Sequence, residues 1–256
     1  MFDLGGHVSL ITGGNGGIGL AFAKGLIKSG ASVAIWGRNP EKNQAAVAEL
    51  EELSSNFAGT VTAFNCDVTN VDEVESAFAA SVEHFGKIDS CFANAGGAGT
   101  GGHLHTMDMQ KWNNIVDLNV NGVVNSFRPM ITHLLERQAP GKLIATSSVA
   151  AVMGTGFQAS YSTTKAAVVG LMRSLAVELG RNGITANALL PGYVESDLTE
   201  TTPQAFKDAA QRRACLGRVG TAEDMEGVAV FMASRLSDYM TGHALVVDGG
   251  HSIHPL

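Results

Sequence analysis

The chain contains no uninterrupted apolar stretch of about 18 residues, the length that a transmembrane helix needs, so we expect no membrane span. Residues 1–7 have no basic segment ahead of an apolar one, so no secretory signal is expected. Lysine and arginine form no run, and the net charge is −7. Such a chain is a poor partner for nucleic acid or for an anionic membrane.

Cysteine is also scarce. Cys66, Cys91 and Cys215 are an odd number, lie far apart and lack the spacing of metal ligands. Cys66 and Cys91 lie in or at the end of apolar, strand-like runs, so we expect buried thiols in a reducing compartment, and hence a cytoplasmic protein. His103 and His105 have no second ligand cluster near them in sequence, so we expect exposed or substrate-rim histidines and no metal.

What the chain does contain is a high apolar fraction, 45%, and a low charged fraction, 16%. Short apolar runs alternate with segments of helical period along all 256 residues, and neither a linker nor a repeat divides them. This alternation is typical of a parallel sheet covered by helices. We therefore predict one domain of the α/β class, residues 1–256.

A glycine-rich segment separates the first apolar run, residues 8–11, from an amphipathic stretch. Strand, glycine turn and helix in this order point backbone N–H groups at a phosphate, which favours a dinucleotide site over a merely flexible turn. Two registers fit. Gly14, Gly16 and Gly19 match G-x-G-x-x-G, whereas Gly13, Gly17 and Gly19 match T-G-x-x-x-G-x-G.

The end of the second predicted strand bears on the form of the dinucleotide. In NAD-binding folds an Asp or Glu about 20 residues beyond the loop binds the ribose 2′-hydroxyl. Here Gly37 occupies that place, Arg38 follows, and the next acid is Glu41. A guanidinium can bind a 2′-phosphate through two charge-assisted hydrogen bonds. NADP(H) is therefore the preferred cofactor and NAD(H) the alternative, unless Arg38 is only a solvated loop charge.

Tyr161 and Lys165 are four residues apart in a segment of helical period, so both side chains project from one face. An ammonium beside a phenol favours the phenolate, so the pair predicts a general acid/base in which Lys165 lowers the pKa of Tyr161. Ser148 ends an apolar run ahead of them, where its hydroxyl could hold a substrate oxygen. Taken alone, the Tyr-x-x-x-Lys spacing is also that of an ordinary exposed pair.

A helical pattern runs from about residue 109 to 135, and Pro129 is expected to kink it. Asn119 lies within it and must find partners if it is buried. A sheet covers only one face of such a helix, so apolar residues on nearly every side predict contact with another subunit. These residues are Trp112, Ile115, Val116, Leu118, Val120, Val123, Val124 and Phe127.

Residues 193–217 have no clear period beyond a short helix at about 204–212, which is typical of a lid over a substrate. Arg212 and Arg213 in this segment are expected to face water. Apolar side chains of the lid and of the segment after Ser148 are expected to line a substrate pocket: Val149, Val152, Met153, Tyr193, Leu198 and Phe206.

The ordered set of motifs resembles that of the short-chain dehydrogenase/reductase family, in its short single-domain form. The resemblance spans residues 8–250, and the family spacing selects Ser148 rather than Ser147. The motifs, in family order, are Thr12-Gly13-x-x-x-Gly17-x-Gly19, Asp67, Asn94-Ala95-Gly96, Asn119, Ser148, Tyr161-x-x-x-Lys165, Pro191-Gly192 and Asp248-Gly249-Gly250.

This resemblance implies a doubly wound Rossmann fold with a seven-stranded parallel sheet, helices on both faces and the cofactor across the carboxyl ends of the strands. It also implies an enzyme, commonly a homotetramer, that transfers hydride between a nicotinamide dinucleotide and a small-molecule ketone or secondary alcohol. The implied cofactor contacts are Gly13, Asn15, Gly16, Gly17, Ile18, Gly19, Arg38, Asp67, Val68, Asn94, Ala95, Gly96, Tyr161, Lys165, Pro191, Gly192, Val194 and Ser196.

The resemblance further implies a role for each catalytic residue. Tyr161 exchanges the proton, Lys165 lowers the pKa of that phenol and holds the nicotinamide ribose, and Ser148 orients the substrate oxygen. Asn119 either holds a water of the proton path or is tied to the backbone, and Asp67 either meets the adenine or caps a helix. The implied substrate contacts are Ser148, Met153, Tyr161 and Tyr193.

Two other functions compete with this one. A nucleotide-sensing or scaffolding protein can keep the fold without the chemistry, but such proteins usually lack part of the Ser/Tyr/Lys set, which is complete here. Enoyl reduction is a related reaction, but that branch of the family normally changes the tyrosine spacing.

Overall fold

The computed structural model describes residues 2–196 and 199–253. Its strands form one seven-stranded sheet in the order β3-β2-β1-β4-β5-β6-β7, and every neighbouring pair is parallel. The strand order reverses between β1 and β4, which opens a crevice at their carboxyl ends. The strands are β1 Val8–Thr12, β2 Ser32–Gly37, β3 Val61–Asn65, β4 Ser90–Ala93, β5 Gly141–Thr146, β6 Ile184–Pro191 and β7 Ala244–Val247.

Helices cover both faces of the sheet, as a doubly wound fold requires. One apolar cluster, with Phe127 and Met172, lies under α3, α5 and α6, and the other, with Phe22 and Leu50, lies under α1, α2 and α8. The helices are α1 Gly17–Lys28, α2 Pro40–Ser54, α3 Val71–Phe85, α4 Met109–Val116, α5 Gly122–Glu136, α6 Ala159–Leu179, α7 Gln204–Arg213 and α8 Glu226–Ala233. The predicted fold class is confirmed.

The central strands are short apolar runs because both of their faces are buried. Successive residues of β1 point to opposite sides, so Leu10 packs in one apolar cluster and Ile11 in the other. Cys66 and Cys91 are buried as expected, and burial raises the pKa of the Cys66 thiol to about 12. No helix within the described ranges is long and apolar enough to cross a membrane.

The predicted helix at residues 109–135 has the expected extent but is not one regular helix. A π-helical turn, Asp117–Asn121, separates α4 from α5, whereas α5 runs on through Pro129. The departure from α geometry therefore falls at Asn119 and not at the proline. Asn119 is buried and its amide is fully hydrogen-bonded, so the wider turn accompanies a polar side chain drawn into the interior.

Candidate active site

The glycine loop joins β1 to α1 at the crevice. Gly17 has φ +49°, a conformation that other residues rarely adopt, and a Cβ on Gly19 would lie 2.1 Å from the carbonyl oxygen of Gly13. The register Gly13, Gly17 and Gly19 is therefore the one that the local geometry requires. Gly16 caps α1 without a side-chain hydrogen bond, and the first turn holds no acid. A helix start of this kind fits a phosphate.

The turn after β4 is fastened to this loop. Thr12 Oγ1 accepts hydrogen bonds from the backbone N–H groups of Asn94 (3.0 Å) and Ala95 (2.9 Å). Asn94 Nδ2 donates to the carbonyl of Thr12 at 3.2 Å, and its Oδ1 accepts from Thr146 Oγ1 at 3.0 Å. The structure thus brings residues 94–96 beside the glycine loop, where the sequence placed a cofactor-flanking turn.

At the end of β2, Arg38 lies 3.6 Å from the Asp67 carboxylate, and its side chain is 67% exposed. Burial alone would raise the pKa of Asp67, but hydrogen bonds from Thr69 and the nearby Arg38 hold it below its usual value. Helix α3 is capped by Asn70, whose Oδ1 accepts from the first-turn N–H groups. Asp67 is therefore not the N-cap of that helix, and this alternative is wrong. Val68 is buried beside it.

Asn15 in the glycine loop is held by a chain of hydrogen bonds between asparagine side chains. Its Nδ2 donates to Asn43 Oδ1 at 2.7 Å, while Asn43 Nδ2 donates to the Gly37 carbonyl at 2.9 Å and to Asn65 Oδ1 at 2.8 Å. A Cβ at Gly37 would lie 2.2 Å from Asn15 Nδ2. A side chain at position 37 would therefore displace the amide groups of Asn15 and Asn43.

Ser148, Tyr161 and Lys165 lie together at the carboxyl end of β5. The Ser148 hydroxyl hydrogen-bonds the Tyr161 phenol, and Lys165 Nζ lies 5.6 Å from the centroid of the Tyr161 ring. Lys165 Nζ donates to the carbonyl of Thr146 at 2.9 Å. Ser147 Oγ instead donates to the Lys165 carbonyl at 2.8 Å, inside the protein. The selection of Ser148 over Ser147 agrees with this geometry.

The expectation that Lys165 lowers the pKa of Tyr161 is wrong for this arrangement. Burial raises the pKa of Tyr161, and only the hydrogen bond from Ser148 works against it. Burial also lowers the pKa of Lys165 to about 8. The ammonium approaches the face of the ring rather than the phenolic oxygen, so both groups respond chiefly to the loss of water.

Asn119 is tied to the backbone, one of the two alternatives for this residue. Its Oδ1 accepts from the N–H of Gly97 at 2.9 Å, and its Nδ2 donates to the Gly97 carbonyl at 2.9 Å and to Thr164 Oγ1 at 3.1 Å. A Cβ on Gly96 would lie 3.0 Å from Asn119 Oδ1 and 3.4 Å from Lys165 Nζ. Asn119 therefore fixes the start of the segment 96–102 next to the lysine.

The residues after β6 close the other side of the crevice. Gly192 N–H donates to the Val247 carbonyl at 3.0 Å, and Val194, which is buried, forms a bridge with Gly220. Ser196 lies against Gly17, where an added Cβ would be 3.1 Å from that of Ser196. Four further predicted cofactor contacts thus border the glycine loop or the adjoining strand ends: Ile18, Pro191, Gly192 and Val194.

Near the lid, the rings of Tyr193 and Phe206 are 5.7 Å apart, and Met153 is half-buried in the turn that follows Ser148. Leu198, expected in the pocket, lies outside the described residues. Arg212 and Arg213 are exposed, as expected, and Arg213 Nε also donates to the carbonyl of His251 at 3.1 Å.

His103 and His105 follow the glycine-rich segment 96–102, and their rings are 5.4 Å apart. His103 also meets the ring of Phe157 edge to face at 4.9 Å. In the part of the chain that the structure describes, no group of three or more His, Cys, Asp or Glu side chains could hold a metal ion.

Known proteins share this arrangement. The chain matches, over residues 13–252, a family model described as Enoyl-(Acyl carrier protein) reductase. It is 34% identical over 245 residues to 3-oxoacyl-(acyl-carrier-protein) reductase FabG of Chlamydia pneumoniae, covering 96% of each chain. It is 34% identical to L-rhamnose 1-dehydrogenase (NAD(P)(+)) of Azotobacter vinelandii, covering 94% of each. A short-chain type dehydrogenase/reductase from Mycobacterium ulcerans superposes with a TM-score of 0.93 at 33% identity, covering 98% of this chain and 92% of that one.

The chain belongs to the short-chain dehydrogenase/reductase family. It is an NAD(P)(H)-dependent oxidoreductase that transfers hydride between a nicotinamide cofactor and a ketone or secondary alcohol. Because the named relatives are a reductase and a dehydrogenase, the sensing or scaffolding alternative has no support from them.

Several polar residues that support the site of this short-chain dehydrogenase/reductase are not singled out by sequence motifs. Thr146 ends β5, and Thr164 lies in the polar first part of α6, so nothing in the spacing of either residue marks it. Asn43 carried a usable signal, because it shares a helix stripe with the buried Ala46 and Leu50. A polar residue on an apolar stripe must bond inward if it is buried.

Proposed function

We propose that this enzyme interconverts an uncharged ketone and its secondary alcohol with NADP(H), and that Tyr161 is its general acid/base. The proposal rests chiefly on one observation, the contact of the Ser148 hydroxyl with the Tyr161 phenol beside the buried Lys165. Three groups of these types, meeting at the carboxyl end of a central strand, suit proton exchange at a substrate oxygen.

The protonation states of these residues favour donation of a proton to a carbonyl oxygen. Burial keeps the Tyr161 phenol protonated at neutral pH, which is the form that can give its proton to a carbonyl oxygen. The Ser148 hydroxyl, already directed at the phenol, would donate a second hydrogen bond to the same oxygen. Lys165 Nζ lies over the ring and not at the phenolic oxygen, so its part would be to hold the nicotinamide ribose.

The residues around the crevice fit a dinucleotide. The loop at the start of α1 would hold its phosphates, and Arg38 beside Asp67 would meet the adenosine ribose and base. Lys165 is buried, and among the described residues its ammonium donates to one acceptor, the Thr146 carbonyl, so it has donors left for ribose hydroxyls. When bound, the nicotinamide supplies or accepts the hydride. Arg38, with no acid at Gly37, supports a preference for NADP(H) over NAD(H).

The proposal treats residues 1–256 as one catalytic domain with a lid at about 193–217. It includes a homotetramer, supported by the outward side of α6, where Ala166, Ala167 and Gly170 are exposed and Val177 is 86% exposed. Small and apolar side chains on an open helix face are typical of a helix–helix contact. A cytoplasmic location is supported by the buried thiols of Cys66 and Cys91.

Reduction of a ketone is favoured over reduction of an enoyl double bond by one contact. The hydroxyl groups of Ser148 and Tyr161 lie next to each other, which suits an oxygen that is hydrogen-bonded twice while it gains or loses a proton.

The test has two steps. Thermal stabilisation by NADPH and by NADH is measured first, and a panel of ketones, secondary alcohols and an enoyl thioester is then followed by nicotinamide absorbance. We expect stronger stabilisation by NADPH, and turnover of ketones and secondary alcohols but not of the enoyl thioester. Turnover of the enoyl thioester without ketone reduction contradicts the proposed reaction, and stabilisation by NADH alone contradicts the role of Arg38.

A further inference from the structure

Phe157, which lies between Ser148 and the start of α6, has an unusual backbone conformation. It is one of two residues other than glycine with positive φ within the described ranges, at +62°, and its side chain is 63% exposed. A bulky L residue in this region costs about 1–2 kcal/mol of backbone energy, and an exposed phenyl ring buries little to offset it. Strain of this kind, held in place by neighbours, is a reason to look for a function.

Two contacts hold Phe157. The N–H of Gly102 donates to the Phe157 carbonyl at 2.8 Å, and the His103 ring meets the phenyl ring edge to face at 4.9 Å. The segment 96–102 begins beside Lys165 and Asn119 and ends at this clasp. Phe157 itself lies four residues before Tyr161, just ahead of the start of α6. The clasped ring is therefore at the edge of the catalytic group, on the side of the glycine segment.

The segments around this ring carry no acidic side chain, lysine or arginine, and they expose several large apolar side chains. Residues 96–107 and 148–160, the two segments that flank the catalytic residues, contain no Asp, Glu, Lys or Arg. They instead present Leu104, Val152 and Phe157, each about 60% exposed, namely 61%, 59% and 63%. Phe206 of the lid, 52% exposed, adds a fourth apolar side chain. Exposed apolar side chains on the segments that flank a site indicate the chemistry of what it binds.

From this geometry we infer that Phe157 is a specificity residue, and that the enzyme takes uncharged ketones or secondary alcohols carrying an aromatic or alicyclic ring. The ring of the substrate packs against Phe157, which Gly102 and His103 hold in place. This inference rests on the proposed function, since it assumes ketone chemistry at Tyr161. A sugar or a carboxylate would leave its polar groups against this apolar rim without partners.

The test compares acetophenone, a phenyl ketone, with butanone, fructose and acetoacetate. The readout is the ratio of kcat/KM for acetophenone to kcat/KM for butanone, in the wild type and in Phe157→Ala. Alanine keeps the same backbone strain, so only the ring is lost. We expect the ratio to fall about tenfold, the size of effect that loss of one aromatic contact and its buried area gives. Phe157→Tyr should retain the ratio, and Phe57→Ala, which removes an exposed ring elsewhere, should leave it unchanged.

Three outcomes separate the two claims. An unchanged ratio in Phe157→Ala, with thermal stability equal to the wild type, overturns the role of Phe157. A wild type that prefers fructose or acetoacetate overturns the substrate class while leaving ketone reduction intact. No turnover of any of the four ketones with either dinucleotide overturns the proposed function and the substrate class together.

Discussion

Lys165 Nζ lies 5.6 Å from the centroid of the Tyr161 ring and donates to the backbone carbonyl of Thr146 rather than to the phenol. The lysine therefore places its positive charge over the ring and away from the phenolic oxygen, and burial is what shifts the pKa of each group. Since both groups are buried, water does little to screen that charge. The behaviour of the pair should depend on whether Lys165 is protonated, and this can be tested separately for each residue.

Tyr161→Phe removes the exchangeable proton and keeps the ring. We expect kcat to fall by about a hundredfold or more, because general acid/base catalysis typically contributes that much. The dissociation constant of the dinucleotide, measured by fluorescence titration, should change little. Turnover equal to that of the wild type would show that another group supplies the proton.

The buried ammonium of Lys165 should make stability depend on pH. Its pKa is lowered by burial from 10.5 to about 8, so between these values the unfolded chain binds more protons than the folded one. Unfolding free energy therefore rises with pH through this window, by up to about 3 kcal/mol for the whole shift. Urea unfolding of the wild type and of Lys165→Met at pH 7 and pH 10 isolates this effect, because the methionine variant lacks the group.

The prediction is tested by the sign of the change in relative stability between the two pH values. The stability of the wild type relative to Lys165→Met should increase on going from pH 7 to pH 10. A difference that stays constant would mean that Lys165 keeps its ordinary pKa, through water or anion access that the folded structure does not suggest.

Asn119→Ala should destabilise the enzyme. The substitution leaves Gly97 N–H, Gly97 C=O and Thr164 Oγ1 without their buried partner, at a cost of about 3 kcal/mol. Urea unfolding measures the loss, and proteolysis within residues 96–102 should become faster, because Asn119 fixes the start of this segment. The exposed Asn113 of α4 offers a matched control, and Asn113→Ala should change stability by less than about 0.5 kcal/mol. Lost activity at unchanged stability would instead favour the water-relay role.

The fold could be predicted from sequence largely because each strand and helix has a recognisable local pattern of apolar residues. The runs that became β1, β2 and β6 are mainly apolar, as expected for a sheet buried on both faces. The interruption at Asn119 could not be predicted, since a π turn is set by where the amide finds partners, and Gly97 lies far away in sequence.

The residues of the candidate site could be predicted from sequence, but the direction of the pKa shift of Tyr161 could not. Spacing alone places Tyr161 and Lys165 on one helix face and favours Ser148. The direction of the pKa shift of Tyr161 was wrong, because sequence reveals neighbours along the chain and not the water that the fold removes. The bond of Arg213 to His251 likewise joins two segments that no local pattern relates.

Arg38→Ala should separate the two dinucleotides. The exposed guanidinium gives charge-assisted hydrogen bonds only to a 2′-phosphate, so the Kd for NADPH should rise about tenfold or more while that for NADH changes by less than about twofold. Arg181→Ala, at another exposed arginine, controls for the loss of one positive charge. Equal weakening of both dinucleotides would mean that Arg38 acts through Asp67 and not on the phosphate.

Val177→Asp tests the homotetramer. Val177 is 86% exposed on α6, so in an isolated subunit the carboxylate would stand in water and stability would change by less than about 0.5 kcal/mol. If a second subunit covers this face, the same carboxylate is buried without a partner, which costs several kcal/mol and should dissociate the assembly. Light scattering after size-exclusion chromatography should therefore give a tetramer for the wild type and for Phe57→Asp, an exposed apolar position outside α6, and a smaller species for Val177→Asp. A wild type that elutes as a monomer removes the case for the assembly, whereas an intact Val177→Asp tetramer moves the contact away from this face.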